Sequence, residues 1–226
     1  MPNTSLKSKY ESSWKVRLLR NPNEQFSHYE RNWVLPPLFK RHEKVLDLAS
    51  GNSIVGSYLH QKFHCDVLAY DISAKAISAA KKRGVKGIVG SVEKKFPFKT
   101  ATFDLVFWGD NIEHILGPKK TLQEIHRVIK PGGRLILSTP NQAYWRYRLY
   151  MFTRGMLPKT EGEDNPPWEW EHIRFFNRPV LKQLLTETGF AETTFLGASR
   201  RRIDKLFVRI FPELFGMVMV IEAKKV

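Results

Sequence analysis

Residues 44–71 read KVLDLASGNSIVGSYLHQKFHCDVLAYD. Two short apolar runs, Lys44–Leu48 and Asp66–Tyr70, read as strands. They flank a turn-rich Ser50-Gly51-Asn52-Ser53 and a helix from about Val55 to Lys62. Apolar strands separated by helices indicate a parallel sheet covered on both faces.

The alternation continues outward in both directions. Ser73 can cap a helix that runs AKAISAAKKR to Gly84. Gly87–Val89 makes a third strand, Phe103–Trp108 a fourth, Lys119–Ile129 a helix, Pro131-Gly132-Gly133 a turn and Arg134–Ser138 a fifth strand. The tail gives a helix over Pro179–Thr188, stopped by Gly189, then a strand Glu192–Leu196, a helix Ile203–Ile210 and a last strand Met217–Ala223. A strand so late in the chain predicts an antiparallel hairpin at the sheet edge. Upstream, residues 10–39 read as helical pieces broken at Pro22 and Pro36–Pro37. No linker-like break divides the 226 residues, so one domain is expected. Within it fall a helical cap (1–43), a ligand-binding half (44–141), an insert (142–178) and a C-terminal helix and hairpin (179–226).

Composition bounds the function. Lys and Arg number 37 against 22 Asp and Glu, a formal charge of +15. The basic residues are spread along the chain, and the tightest cluster is Arg200-Arg201-Arg202. This charge suits an acidic, phosphorylated or lipid-linked small molecule, or an anionic membrane surface, while nucleic acid asks for basic groups converging on one face. Cys65 is the lone cysteine, which excludes intramolecular disulfides and Cys-rich zinc sites. It sits in an apolar run and reads as packing. The first ten residues are polar, without a secretory apolar stretch, and a cytoplasmic protein is expected.

A doubly wound sheet binds ligands beyond the carboxyl ends of its strands, where strand order reverses. That directs attention to Asp47-Leu48-Ala49-Ser50-Gly51-Asn52-Ser53, whose small residues let a ligand approach the backbone. Asp71, at the end of the second strand, is placed to accept both hydroxyls of an adenosine ribose. An ordinary strand–helix connection has the same look. The Gly-x-Gly-x-x-Gly fingerprint of NAD(P) oxidoreductases is not found after the first strand.

The ordered set DLASGNS, YDIS, FDLVFWGDNIEHI, VIKPGGRLILSTPN and HIRFF…LLTETGF resembles the class I S-adenosylmethionine-dependent methyltransferases of the type 11 group, over about Lys44 to Phe190. The resemblance implies a Rossmann-like α/β fold, with a doubly wound, mostly parallel seven-stranded sheet, helices on both faces and a C-terminal antiparallel hairpin. It further implies that S-adenosyl-L-methionine is the cofactor and S-adenosyl-L-homocysteine the product. The cofactor would then lie against Asp47, Ala49, Ser50, Gly51, Asn52, Asp71, Ile72, Ser91, Val92, Glu93, Trp108 and Gly109. Two departures stand out. Ala49 and Ser53 replace the first and third glycines common in the family's first turn, and Ser91 replaces the acidic residue that often follows the third strand.

The candidate bases are His114 and His172, with Glu113 either a helix-face charge or a group polarising His114. The acceptor pocket should come from residues 10–39, the insert 142–172 and the hairpin after 197. In the insert Trp145, Leu149 and Phe152 share one helical face, flanked by Arg146 and Arg148. That helix packs on the domain, closes over an apolar acceptor, or touches a membrane. A small-molecule acceptor, apolar or linked to lipid or glycan, is the main expectation. An RNA methyltransferase and a non-catalytic protein with a degenerate cofactor site are the alternatives.

Overall fold

The computed structural model describes residues 6–21, 23–160, 166 and 171–226. Helix α1 (Leu6–Arg20) and three short 3-10 turns (26–28, 30–33 and 36–38) lead into the sheet. Then follow β1 (Lys44–Leu48), α2 (Ile54–Phe63), β2 (Asp66–Asp71), α3 (Ala74–Lys82), β3 (Lys86–Val89), β4 (Phe103–Gly109), α4 (Pro118–Val128) and β5 (Ile129–Pro140). The remainder is α5 (Trp145–Arg154), α6 (Arg178–Glu187), β6 (Phe190–Ala198), α7 (Arg202–Phe207), α8 (Pro212–Phe215) and β7 (Val218–Lys225).

The strands form one seven-stranded sheet in the order β3-β2-β1-β4-β5-β7-β6. Strands β1 to β5 are parallel, and β7 lies antiparallel between β5 and β6. Side-chain alternation divides the core into two layers. Leu46, Leu48, Val106, Trp108, Leu135 and Leu137 face α4 and α6, meeting Leu122, Ile125, Leu181 and Leu185. Val45, Leu105, Phe107 and Ile136 face α2 and α3, where Leu35 and Phe39 complete the layer. Local chemistry agrees with the elements: Ser73 Oγ caps α3 by accepting from Ala76 N (3.2 Å), and Asn177 Oδ1 caps α6 by accepting from Val180 N (3.0 Å). Cys65 is buried in the second layer.

Two expectations need correction. Pro131-Gly132-Gly133 is part of β5, which begins at Ile129. Ile129 pairs with Phe103 and Arg134 with Leu105, so extra residues bulge out opposite Asp104. Gly132 takes φ +73°, and a Cβ on Gly133 would stand 2.9 Å from the Asp104 carbonyl oxygen; the two glycines make the bulge sterically allowed. Helix α7 ends at Phe207, short of Ile210, because the chain turns into α8 at Pro212. The insert helix is anchored at its start and open beyond it. Tyr144 and Trp145 hold α5 in place by donating to Asp204 at 2.5 and 2.9 Å, but Leu149 and Phe152 point outward, Phe152 at 88% exposure. Trp168, Glu169 and Trp170 lie outside the described residues.

At the end of the sheet away from those strand termini, Arg134 is buried. It donates to both oxygens of Glu43 (3.2 and 2.6 Å) and to Glu222 (2.7 Å), joining β5, β7 and the entry to β1. Removing the cation leaves two poorly solvated carboxylates side by side. Arg134→Ala should therefore lower the unfolding free energy by about 3–5 kcal/mol in a urea titration; a loss below about 1 kcal/mol would show that the cluster is not a staple.

Candidate active site

Strand order reverses between β1 and β4, and a cavity of about 310 Å³ opens there at the carboxyl ends of the parallel strands. Its floor is the turn after β1. Ala49, Gly51 and Ser53 all take left-handed backbone angles, with φ of 51°, 54° and 51°. Alanine and serine therefore occupy conformations that glycine adopts freely, at about 1–2 kcal/mol each. The surrounding hydrogen bonds explain why the turn nevertheless holds. Ser53 Oγ donates to Asp47 Oδ2 at 2.6 Å, Gly56 N donates to the same oxygen at 3.2 Å, and Asn52 Nδ2 donates to Glu24 Oε2 at 2.7 Å. Asp47 is wholly buried, and burial pushes its carboxyl up to about 7.

Asp71 closes one side. Its Oδ2 accepts from Gly51 N and its Oδ1 from Ser73 N, each at 2.8 Å. Burial raises its pKa above the usual carboxylate range. A carboxylate has about four acceptor positions, so two remain for hydroxyl donors in the cavity. Ile72, Ser91, Val92 and Glu93 form the adjoining wall. That wall is pinned: Glu93 N donates to Ser91 Oγ (3.3 Å), Thr121 Oγ1 to the Val92 carbonyl (3.1 Å) and Leu116 N to Glu93 Oε1 (2.8 Å). The far side is Gly109, Asp110 and Asn111 at the end of β4, followed by His114.

Trp108 is not on the wall. It is fully buried in the layer under α4, with its indole Nε1 donating to Asn111 Oδ1 at 2.8 Å. Alternation along β4 turns Phe107 and Gly109 toward the cavity and Trp108 away from it. His172 also stands behind the cavity lining, edge-on to His114 with ring centroids 4.7 Å apart. Burial, and next the neighbouring His114, push His172 down to about 4. Glu113 is buried rather than on a helix face, and its Oε2 accepts from Thr139 Oγ1 at 2.9 Å. Burial, with Asp110 nearby, pushes its carboxyl up to about 8.

The roof was not legible as such. Tyr10, Ser13, Trp14 and Arg17 of α1 cover the cavity, joined by Tyr29 and Arg31. Glu11 fastens α1 to α3 by accepting from Ser73 Oγ (3.1 Å), Ala74 N (2.6 Å) and Lys75 N (3.3 Å). The Trp14 ring lies so close to Gly51 that a Cβ there would stand 2.3 Å from it. Arg31 pairs with Asp110 and sits 4.9 Å over the Tyr29 ring. The aromatic residues of segment 10–39 were the available signal, but periodicity cannot say which cavity a helix covers.

The strain at Ala49 is directly testable. Glycine there releases about 1–2 kcal/mol of left-handed strain against about 0.4–1 kcal/mol of added freedom in the unfolded chain. Ala49→Gly should raise stability by about 0.5–1 kcal/mol net by thermal melting. A lower melting temperature would contradict the strained-turn description.

The donor set fits the cofactor implied by the first turn: a strand-end carboxylate with acceptor positions left, a backbone that small residues let a ligand approach, and a pinned loop beside it. The family model for a methyltransferase domain, type 11, matches residues 46–137. The demethylmenaquinone methyltransferase of Paenarthrobacter aurescens is 30% identical over 168 residues, covering 70% of this chain and 66% of that protein. The ubiquinone/menaquinone biosynthesis C-methyltransferase UbiE of Desulfotalea psychrophila is 32% identical over 167 residues, 66% of each. The chain thus spans just under two thirds of the length of these relatives. A solved S-adenosylmethionine-dependent methyltransferase from Aquifex aeolicus shares the fold, with a TM-score of 0.62 at 20% identity, covering 94% of this chain and 97% of that one. Fold order, first-turn geometry and these matches agree: residues 46–137 carry the methyltransferase-domain match, and the chain is similar to the class I S-adenosylmethionine-dependent methyltransferases of the type 11 group.

Proposed function

We propose that this chain methylates a small, apolar acceptor that it meets at an anionic membrane surface. S-adenosylmethionine, when bound, supplies a methyl group already activated on a sulfonium sulfur. The protein then has to orient and enclose. Asp71 holds the ribose end, the turn after β1 receives the rest along its backbone, and the α1 roof keeps water out. Alignment alone can supply about 7–11 kcal/mol of such a barrier. Gly109, Asp110, Asn111, His114, Ile115 and Glu171 line the end where an acceptor would enter, and His114, with His172 behind it, is the group able to act on an acceptor proton.

The observation that carries the membrane reading is a set of exposed apolar side chains on two elements joined at Asp204. Asp204 ties the start of α5 to α7, and beyond that anchor Leu149, Phe152, Leu206 and Ile210 stand in solvent. Arg146, Arg148, Arg154, Arg201, Arg202 and Arg209 are interleaved with them and exposed. Apolar side chains among arginines match the boundary between anionic headgroups and acyl chains. Among the described residues no helix is long and apolar enough to cross a membrane, so the contact is peripheral. The relatives named as a demethylmenaquinone methyltransferase and as a ubiquinone/menaquinone biosynthesis C-methyltransferase support an apolar acceptor.

Vesicle co-sedimentation tests this reading. The protein should bind vesicles containing an anionic phospholipid, release as salt rises, and ignore neutral vesicles. Burying a large apolar side chain contributes about 1.5–3 kcal/mol, so Phe152→Ser combined with Leu206→Ser should weaken partitioning at least about tenfold. Indifference to both substitutions, or a tight saturable complex with RNA at physiological salt, would overturn it.

A further inference from the structure

We propose that Glu113, His114 and His172 bind one divalent transition-metal ion of the zinc class, with an open position toward the cavity for an acceptor oxygen. The inference rests on the methyltransferase reading for its role but on side-chain geometry for its existence. The three residues each offer a ligand atom, and these atoms lie within 4.8 Å of one another. Zinc sits about 2.0–2.1 Å from nitrogen and oxygen donors, which in a tetrahedral site places the donors about 3.3–3.4 Å apart. Three donors at the corners of a 4.8 Å triangle reach that spacing by moving inward less than about 1 Å each.

Among the described residues, the hydrogen bonds around the cluster engage Nδ1 of each histidine and not Nε2. His114 Nδ1 stands 3.0 Å from the Glu171 carbonyl oxygen. A carbonyl only accepts, so Nδ1 carries the proton and Nε2 presents a lone pair. His172 Nδ1 is 2.6 Å from Thr160 Oγ1, a hydroxyl that can accept the ring's proton and so free Nε2 for the cluster. Histidines that ligate metals are usually held through the other ring nitrogen in this way. Glu113 completes the set. Its side chain is buried at the end of β4, accepts one hydroxyl from Thr139, and has no lysine or arginine paired with it among the described residues. An ion between this carboxyl and the two imidazoles would supply the cation that the described residues do not place beside it. Two histidines and one carboxylate leave coordination positions open, as catalytic rather than structural sites do.

The location gives the ion a task. His114 lines the cavity beside Asn111 and Ile115, on β4's side of β1, whereas Asp71 lies on β2's side. An acceptor hydroxyl bound there would lose its proton to water more readily. Its oxygen then forms the bond to the methyl carbon as the carbon–sulfur bond breaks, and the electron pair stays on sulfur. One hydroxyl and one sulfonium become one methyl ether, one thioether and one released proton.

The test uses the whole chain, stripped with a chelator and titrated with Zn²⁺ by calorimetry and with Co²⁺ by visible absorption. One equivalent of each should bind, and Co²⁺ should show the intense d–d bands of a low-symmetry site. His114→Ala and His172→Gln should each weaken Zn²⁺ binding by at least about 100-fold, and Thr160→Val, which removes only the group orienting His172, by about 10–100-fold. Melting curves establish that each variant is folded. S-adenosylmethionine affinity should be unchanged in all three, which separates this site from the cofactor site. Absence of stoichiometric metal binding by the wild type, or unchanged binding in folded His114→Ala and His172→Gln, would overturn the metal site while leaving the methyltransferase reading standing. Metal binding without any S-adenosylmethionine binding would instead remove the role assigned to the ion.

Discussion

Two buried carboxylates hold a backbone turn that would otherwise relax. Asp47 gathers Ser53 and Gly56 onto one oxygen, and Asp71 takes the amide of Gly51. Between them they keep three residues in left-handed conformations, two of which are not glycine. Everything at the carboxyl end of the sheet is referred to this turn. It fixes where α2 starts, it sets the floor of the cavity, and it gives Trp14 the close contact that seats the roof helix. The departures from a glycine-rich turn thus do not abolish its shape. They transfer the work from conformational freedom to hydrogen bonding, and Ser53 supplies one of the bonds that its own strained backbone requires.

The alternation of apolar strands and helices was readable because each strand of a doubly covered sheet must be apolar on both faces, and Lys44–Leu48 or Phe103–Trp108 show this without ambiguity. The terminal hairpin was readable for the same reason. Facing was harder. Trp108 and Gly109 are neighbours at a strand end, but one points into the core and the other into the cavity, and only the register of β4 decides which. The start of β5 was missed because Pro-Gly-Gly has the composition of a turn, while the nearby β4 backbone makes it a bulge. The α1 roof was beyond periodicity, since Glu11 finds its partners across more than sixty residues, at the amino end of α3. Of the site residues, those on the β1 turn and after β2 fall together around one cavity, and the cluster of Glu113, His114 and His172 joins segments that only the folded insert brings near each other.

The cavity therefore has two chemically distinct ends, separated by β1. On one side a carboxylate and small residues suit a nucleoside. On the other His114 and the Arg31–Asp110 pair line the cavity, with His172 and the buried Glu113 behind them. The segment after α5 carries Thr160, which meets His172 beside His114, so the chain runs directly from the exposed apolar and arginine side chains of α5 to the histidine pair.

The most direct measurement is calorimetric titration of S-adenosylmethionine and S-adenosylhomocysteine into the wild type and Asp71→Ala, with melting curves to establish folding. Hydrogen bonds to a charged group contribute about 1.5–3 kcal/mol, so the variant should bind about 10–150-fold more weakly. Equal affinity in a folded Asp71→Ala protein would contradict the assignment of this cavity as the cofactor site.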